Sequence, residues 1–538
     1  MRQLSFLVLA LGLVAAGCGH KVPDYSTIPD AAAVADGGLQ VGASAGDADK
    51  LNPVMEGDTT SGDIDALVFN GLTRYSPKLV LEGELAESWT VADGGKTITF
   101  KLRKGVKWHD GQPLTSADVK FTIDCIMDPK VASPRKSGFD LVSDIQTPDD
   151  LTVVVHYKKP FVPALEAWGQ GIIPKHLLAG KDLNTDAFNR HPIGTGPYKF
   201  KQWKDKQFIE LEANPGYWEG KVHIARQILR FVPSPATQLL ELKSGGIDSM
   251  TLQPDQYLKE TAGNDFEKVN KKYRYPGLKT YTYMAFNLAR PPFDDIRVRT
   301  ALSGAIDRKE LVDGVMQGFA KPCTGPYSPL MAAYDPSVKG LELDLTRSAK
   351  LLDEAGWKLG QDGLRSKEGK PFAFKLLTNS GNSPREKTVL ILQQQFAKLG
   401  VKAEVQTMEW STFISAHIDK KDFDCAVLGW SLSLDPDQYS IFHSSQTHER
   451  EFNFVSLKDP EVDRLLEQGR ITFDPAKRLS IYKAFHRRIA VLQPYAFLYA
   501  PDDLSALSRK FQGVLETDTG YGWYAPVRWY IPKSAQRD

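Results

Sequence analysis

The chain has 538 residues, 42% hydrophobic and 25% charged, a globular composition too long for one hydrophobic core, so two or three domains are expected. Its 67 lysines and arginines offset 66 aspartates and glutamates to leave a formal charge of +1, and the signs alternate along the chain, which argues against a nucleic-acid groove. The 10 tryptophans, 19 tyrosines and 26 phenylalanines could line a ligand cleft or simply fill a core of this size.

The first predicted element is an export signal. Arg2 gives a positive start, and Leu4 to Ala16 is an apolar run too short to span a bilayer. The run closes on Ala15-Ala16-Gly17-Cys18, which resembles the lipobox of bacterial lipoproteins. That resemblance implies a signal peptide over 1–18 and a diacylated Cys18 as the mature N-terminus. Residues 19–36 carry Pro, Asp, Ser and Ala without a sustained period, as a flexible tether does. No later segment is long and apolar enough to cross a membrane. Cysteines of an exported chain can pair. Cys125 falls in a predicted helix and reads as a small core residue, while a Cys323–Cys425 bridge is left open.

"TITFKLRKGVKW" from Thr97 alternates as a half-buried strand, and "HDG" turns the chain. A helix follows from Ser116 as N-cap, with Asp118 in its first turn, and stops before Pro129. "LTVVVHY" from Leu151 is a strand, and "GTGPYKFKQWKDKQFIELEANPGYW" a glycine turn followed by a hairpin. The second half alternates helix with strand. "DDIRVRTALSGAI" is an amphipathic helix, Asp307 and Glu310 form a capping box for the next, and "TRSAKLLDEAGW" runs from a Thr346 cap to Gly356. "REKTVLILQQQFAKLG" then "VKAEVQTM", and "WSTFISAHI" then "FDCAVLGW", repeat the order. This predicts α/β layers on a largely parallel sheet.

Open α/β sheets collect ligands outside the carboxyl ends of their strands. "CAVLGWSLSLDPDQYSIFHSS", residues 425–445, begins as a buried strand and breaks into Trp430, Ser431, Ser433, Asp435, Asp437 and Tyr439 at that place. An indole is a large apolar plate with one N–H donor, suited to holding an extended ligand.

Taken together, "IDALVFNGLTRY", "LAESWTVADGGKTITFKLRKGVKWHDGQPLTSADVKFT", "IGTGPYKF", "ANPGYW", "FNLARPPFDDIRVRTALSGAIDR", "LLDEAGW" and "GWSLSLDPDQYSIFHSS" resemble the family 5 solute-binding proteins of ABC importers. The resemblance spans nearly all of the mature chain. It implies an α/β two-lobed clamp: lobe one from 37–60, 194–285 and 500–538, an inserted domain over 61–193, and lobe two over 286–499. Hinge strands are then expected at Tyr283 and Tyr495. It also implies that Trp410 and Trp430 form the cleft's tryptophan pair. In the family's peptide receptors an aspartate three residues after the second tryptophan meets the ligand's α-ammonium; here that position is Ser433. Two readings stay open for Asp435: it takes over that role, or "LDPD" is a turn with Asp435 and Asp437 solvated. The expected partners are a short peptide or peptide-like solute and the permease and ATPase subunits of an importer. The expected chain is a monomer held to the cell envelope only by its lipid, at the periplasm or the outer face of the cell membrane. No cofactor, metal or nucleic acid is expected; His443, His448 and Glu449 match no zinc spacing. A nickel complex, an opine or an oligosaccharide is the alternative ligand.

Two rival classes remain. "GASAG", Gly42 to Gly46, matches a GxSxG nucleophile elbow, but the helix that the elbow requires is forestalled by Pro53. An adhesin or structural lipoprotein would keep the hydrophobic pattern without needing the aromatic, acidic loop.

Overall fold

The computed structural model describes residues 32–515, 517 and 527–536, with Tyr25 and Ile28. The signal segment and Cys18 lie outside the described residues. The architecture is a two-lobed α/β clamp built on two large sheets.

The first is seven-stranded. At its centre Leu39–Ser44 runs parallel to Arg226–Phe231 and to Ser249–Thr251. Tyr198–Lys204, Phe208–Ala213, Asn270–Tyr275 and Asp503–Ser508 add antiparallel edges. The predicted hairpin is the Tyr198–Lys204 and Phe208–Ala213 pair. A separate four-stranded antiparallel sheet contains Ala86–Ala92, Thr97–Leu102, Val142–Asp149 and Thr152–Tyr157. Its buried face shares one core with Tyr198, Ile209 and Leu211, so this region packs directly onto the first lobe.

The second large sheet is six-stranded, in the order Ala320–Pro322, Tyr495–Pro501, Thr280–Phe286, Cys425–Ser431, Ala373–Asn379, Lys402–Met408. The last three are parallel, as helix–strand alternation demands; the first three pair antiparallel. The expectation of a largely parallel sheet therefore holds only for the strands joined by helices. Of the others, Thr280–Phe286 is supplied by chain arriving from the first lobe, Tyr495–Pro501 by chain leaving for it, and Ala320–Pro322 is a short edge strand.

Strand alternation divides this lobe's interior between the two faces of the sheet. Met284, Phe286, Cys425 and Val427 enter one core, while Tyr281, Tyr283, Ala426 and Leu428 enter the other with Cys323. Cys323 and Cys425 thus occupy opposite faces of one sheet. Both are buried free thiols, as is Cys125, which closes the disulfide question left by the sequence.

Helix ends follow local chemistry and shift two predicted caps by one or two residues. Helix Ser116–Met127 is capped by Thr115, whose N–H donates to Asp118 (2.9 Å). Helix Leu345–Glu354 is capped by Asp344, which accepts from Arg347 N (2.8 Å), so Thr346 is already inside. In each case a residue just upstream has the extended or non-helical backbone an N-cap needs.

The expected hinge positions also move. Tyr283 and Tyr495 stack at 4.1 Å within the six-stranded sheet, each fixed by ladder pairing on its strand. The chain instead passes between the large sheets from Tyr275 to Thr280 and from Pro501 to Asp503. These crossings touch: a Cβ on Gly277 would lie 2.0 Å from the Pro501 carbonyl oxygen. Only glycine permits that approach.

Candidate cleft between the lobes

Two cavities of about 670 and 310 Å³ lie where the lobes face each other, and Ser431, Phe452, Glu56 and Arg135 border both. Together they form one cleft with walls from each lobe.

Trp430 sits near the end of strand Cys425–Ser431, half-buried on the wall of the smaller cavity. Its ring lies parallel to Tyr283 (6.3 Å, 16°) and edge-on to Phe452 (5.4 Å, 69°), and its Nε1–H donates to the Tyr495 hydroxyl (3.3 Å). Trp410 opens the short helix Trp410–Thr412 on the same cavity. Its Nε1–H reaches across to Asp58 Oδ1 (3.4 Å). Ser431 and Ser433 line the larger cavity.

The rest of the loop is arranged otherwise than the sequence suggested. Asp435 is not a free acceptor for an ammonium, because Arg478 from helix Pro475–Leu492 takes both its oxygens (2.7 and 2.8 Å). Asp437 pairs with Arg470 from helix Pro460–Ile471 (3.3 Å). The turn reading is right in geometry, since Asp437 N donates to Asp435 Oδ1 and Tyr439 N to Asp437 Oδ1. It is wrong about solvation: both carboxylates are held in buried or half-buried ion pairs. Tyr439 is 8% exposed, stacks on His443 (3.9 Å) and lies beneath the Arg470 guanidinium. It belongs to the packing behind the loop and not to the cleft wall.

Burial pushes the Asp437 carboxyl up from 3.8 to about 6 even with Arg470 beside it. A raised acid binds its proton more tightly folded than unfolded, so its contribution to stability is present below about pH 4 and lost as pH rises through 6. Asp437→Asn does not titrate. The melting temperature of the wild type relative to that variant should therefore fall between about pH 4 and 7 and be flat above. The opposite slope would mean that the ion pair outweighs burial.

The facing lobe supplies residues that the sequence reading missed. Glu166 crosses to the loop, where its Oε2 accepts from Asp435 N (3.1 Å) and from the Tyr75 hydroxyl (2.7 Å), and Ser433 is a further hydrogen-bond partner. Burial, reinforced by the Asp435 charge, raises its carboxyl above the usual range. Burial likewise lowers Lys279, which the Glu166 and Asp63 charges pull back up. The signal for this wall was present in "DTTSGDIDALV": Asp65 falls on the buried side of helix Thr59–Val68 with Ile64 and Val68, and an aspartate at a core position calls for a reason.

Ser44 ends strand Leu39–Ser44, its hydroxyl donating to Gly46 O (2.9 Å), and the next helix begins only at Thr59. The strand–turn–helix of a nucleophile elbow is absent here. The motif's last glycine has a different use. A Cβ on Gly46 would stand 2.6 Å from Trp410 Cβ, so its bare backbone is what lets the two lobes meet. Gly46→Ala should cost the closed arrangement about 1–3 kcal/mol, read as roughly ten- to hundredfold weaker ligand binding with the ligand-free melting temperature little changed. Unchanged affinity would show that the lobes need not approach this closely.

Two lobes, two chain crossings and a cleft walled from both sides define a clamp that closes on a small solute. The chain belongs to the bacterial extracellular solute-binding proteins of family 5: residues 80–451 match the family described as "Bacterial extracellular solute-binding proteins, family 5 Middle". Among curated relatives it is 34% identical over 526 residues, 95% of each chain, to the oligopeptide-binding protein AppA of Bacillus subtilis (strain 168). It is 31% identical over 489 residues to Protein XP55 of Streptomyces lividans, covering 89% of this chain and 87% of the relative. Among solved structures, B. subtilis AppA in complex with a nonapeptide superposes with TM-score 0.88 at 33% identity, covering 93% of this chain and 100% of that one. NikZ from Campylobacter jejuni in complex with Ni(L-His) gives 0.81 at 29% identity, covering 91% and 99%.

Proposed function

We propose that the chain is the receptor of an ABC importer that captures short peptides between its lobes and presents them to a permease, without turning them over. The observation that carries this reading is the cleft itself: two joined cavities of about 670 and 310 Å³ with Trp410 and Trp430 on one wall. Such a space suits an extended chain better than a single small ion. The likeness to a peptide-bound AppA over 93% of this chain supports the same ligand class. Cys18 as a lipid anchor, a monomeric state and partnership with permease and ATPase subunits complete the reading. Trp430, Ser431 and Ser433 of the loop and its strand, and Trp410 of the neighbouring helix, are proposed to face the ligand, with Glu166 added from the other lobe.

Mass spectrometry of small molecules released from purified protein tests this directly, followed by thermal-shift titration of what is found. A peptide at a hundred times its dissociation constant adds about 2.7 kcal/mol to stability. Release of only a metal complex or sugar, with no shift from any peptide, would sink the peptide assignment.

A further inference from the structure

The stretch expected to be a free tether, 19–36, is fastened to lobe one from Tyr25 onward. Tyr25 is 7% exposed and shares a core with Ile224, Val269, Tyr273, Tyr275, Phe511 and Trp529 on one face of the seven-stranded sheet, and Ile28 packs against the same core. Helix Pro235–Ser244 covers the other face, through Leu239 and Leu242. Further along, the Tyr530 hydroxyl donates to Ala32 O (2.7 Å), and Gln536 Nε2 donates to Asp36 O (3.0 Å). The Asp36 carboxylate pairs with Lys221 and with His223 Nδ1 (2.9 Å). Gly37 N then donates to His223 O (2.8 Å), and the chain enters strand Leu39–Ser44. Among the described residues, the Tyr25 ring is the largest apolar group by which this stretch holds the lobe.

The place of attachment follows from the direction of that strand. Its last residue, Ser44, leads to Gly46, which meets Trp410 of lobe two. Asp36 and Gly37 therefore sit at the opposite end of the sheet, away from the cleft, and every contact just given is to lobe one. Six residues separate Cys18 from Tyr25. Fully extended, that span reaches about 25 Å, whereas a stretch free as far as Asp36 would reach about 60 Å. The difference decides orientation, because a folded body of about 500 residues is about 60 Å across. The longer span would let any face of the molecule turn toward an anchor at Cys18, and the shorter one does not.

We propose that the receptor stands on its membrane through lobe one, with the Tyr25 face of that lobe held within about 25 Å of the lipid surface, so that lobe two is the half that swings. This rests on the lipid anchor at Cys18 in the reading above and adds which surface of the molecule lies next to the bilayer.

The test is energy transfer on vesicles. Full-length lipidated receptor carries one added cysteine, Ser534→Cys beside the Tyr25 core or Lys350→Cys on lobe two, labelled with a donor dye. It is reconstituted into phosphatidylcholine vesicles that hold an acceptor-labelled lipid. Both positions are exposed, and the buried thiols of Cys125, Cys323 and Cys425 are shielded from the label. Transfer from position 534 should exceed transfer from position 350 severalfold. Inserting a Gly/Ser segment of about twelve residues between Asp24 and Tyr25 lengthens the reach without touching the folded body, and should bring the two signals together. Tyr25→Asp should narrow the gap with peptide affinity unchanged, because a buried carboxylate expels the strap. Equal transfer from the two positions in the parent protein, or a gap that either change leaves intact, overturns the inference while the anchor stands. If Cys18 carries no diacylglyceryl mass and the mature chain does not join vesicles, the anchor and the inference fall together and peptide capture is untouched.

Discussion

Arg470→Met is expected to lower unfolding stability by about 3–5 kcal/mol, the usual penalty for removing one partner of a buried ion pair. Arg470 is 3% exposed and serves both lobes. It pairs with Asp437 behind the loop and with Asp140 of the facing lobe (3.0 Å), donates to the Ser137 carbonyl, and lies over the Tyr439 and Phe161 rings. Its own carbonyl accepts from Val162 N (2.8 Å). Methionine keeps the apolar stem but leaves the Asp437 carboxylate buried with no cation on its near side. Adding Asp437→Asn should restore more than half of the loss, since the two side chains act as one unit. Urea midpoints for the four proteins of the cycle check this. A single-variant loss under about 1 kcal/mol would show that water already reaches this pair.

The second large effect is on binding. Trp430→Ala should weaken the ligand found by mass spectrometry by roughly thirtyfold or more, about 2 kcal/mol, because a cleft tryptophan combines large buried area with few rotatable bonds. The stack on Tyr283 and the contacts to Phe452 and Phe454 orient that ring, and the half-exposed position means that the lobe should still fold. Circular dichroism of the variant should match the wild type. Retained affinity would remove Trp430 from the site.

Strands and helices were readable because burial in this chain obeys simple periods. "TITFKL" alternates and sits in a sheet with one buried face, and the helices of the second half end at glycines such as Gly356, whose φ is +90°. The antiparallel half of the six-stranded sheet was not readable, since Thr280–Phe286 and Tyr495–Pro501 are brought together from more than two hundred residues apart by the clamp's topology. The site divides the same way. Trp410 and Trp430 stand at element ends, where sequence order places them. The fate of Asp435 and Asp437 depended on Arg478 and Arg470, which return on helices Pro475–Leu492 and Pro460–Ile471, and no local pattern around "LDPD" announces them. Glu166 and Asp65 were hidden for a different reason: they belong to the opposite wall, and only the approach of the two lobes makes them neighbours of the loop.

Gly277 decides what kind of motion these lobes can make. With the two connecting stretches lying backbone against backbone, neither can bend without the other, and the freedom left is a swing about one line, as of a door on a single pin. Lys279 stands two residues from that pin. Ligands of different length would then be accommodated by the angle of the swing, felt mostly at the outer rim, while the charged floor beside the axis keeps nearly the same shape for all of them.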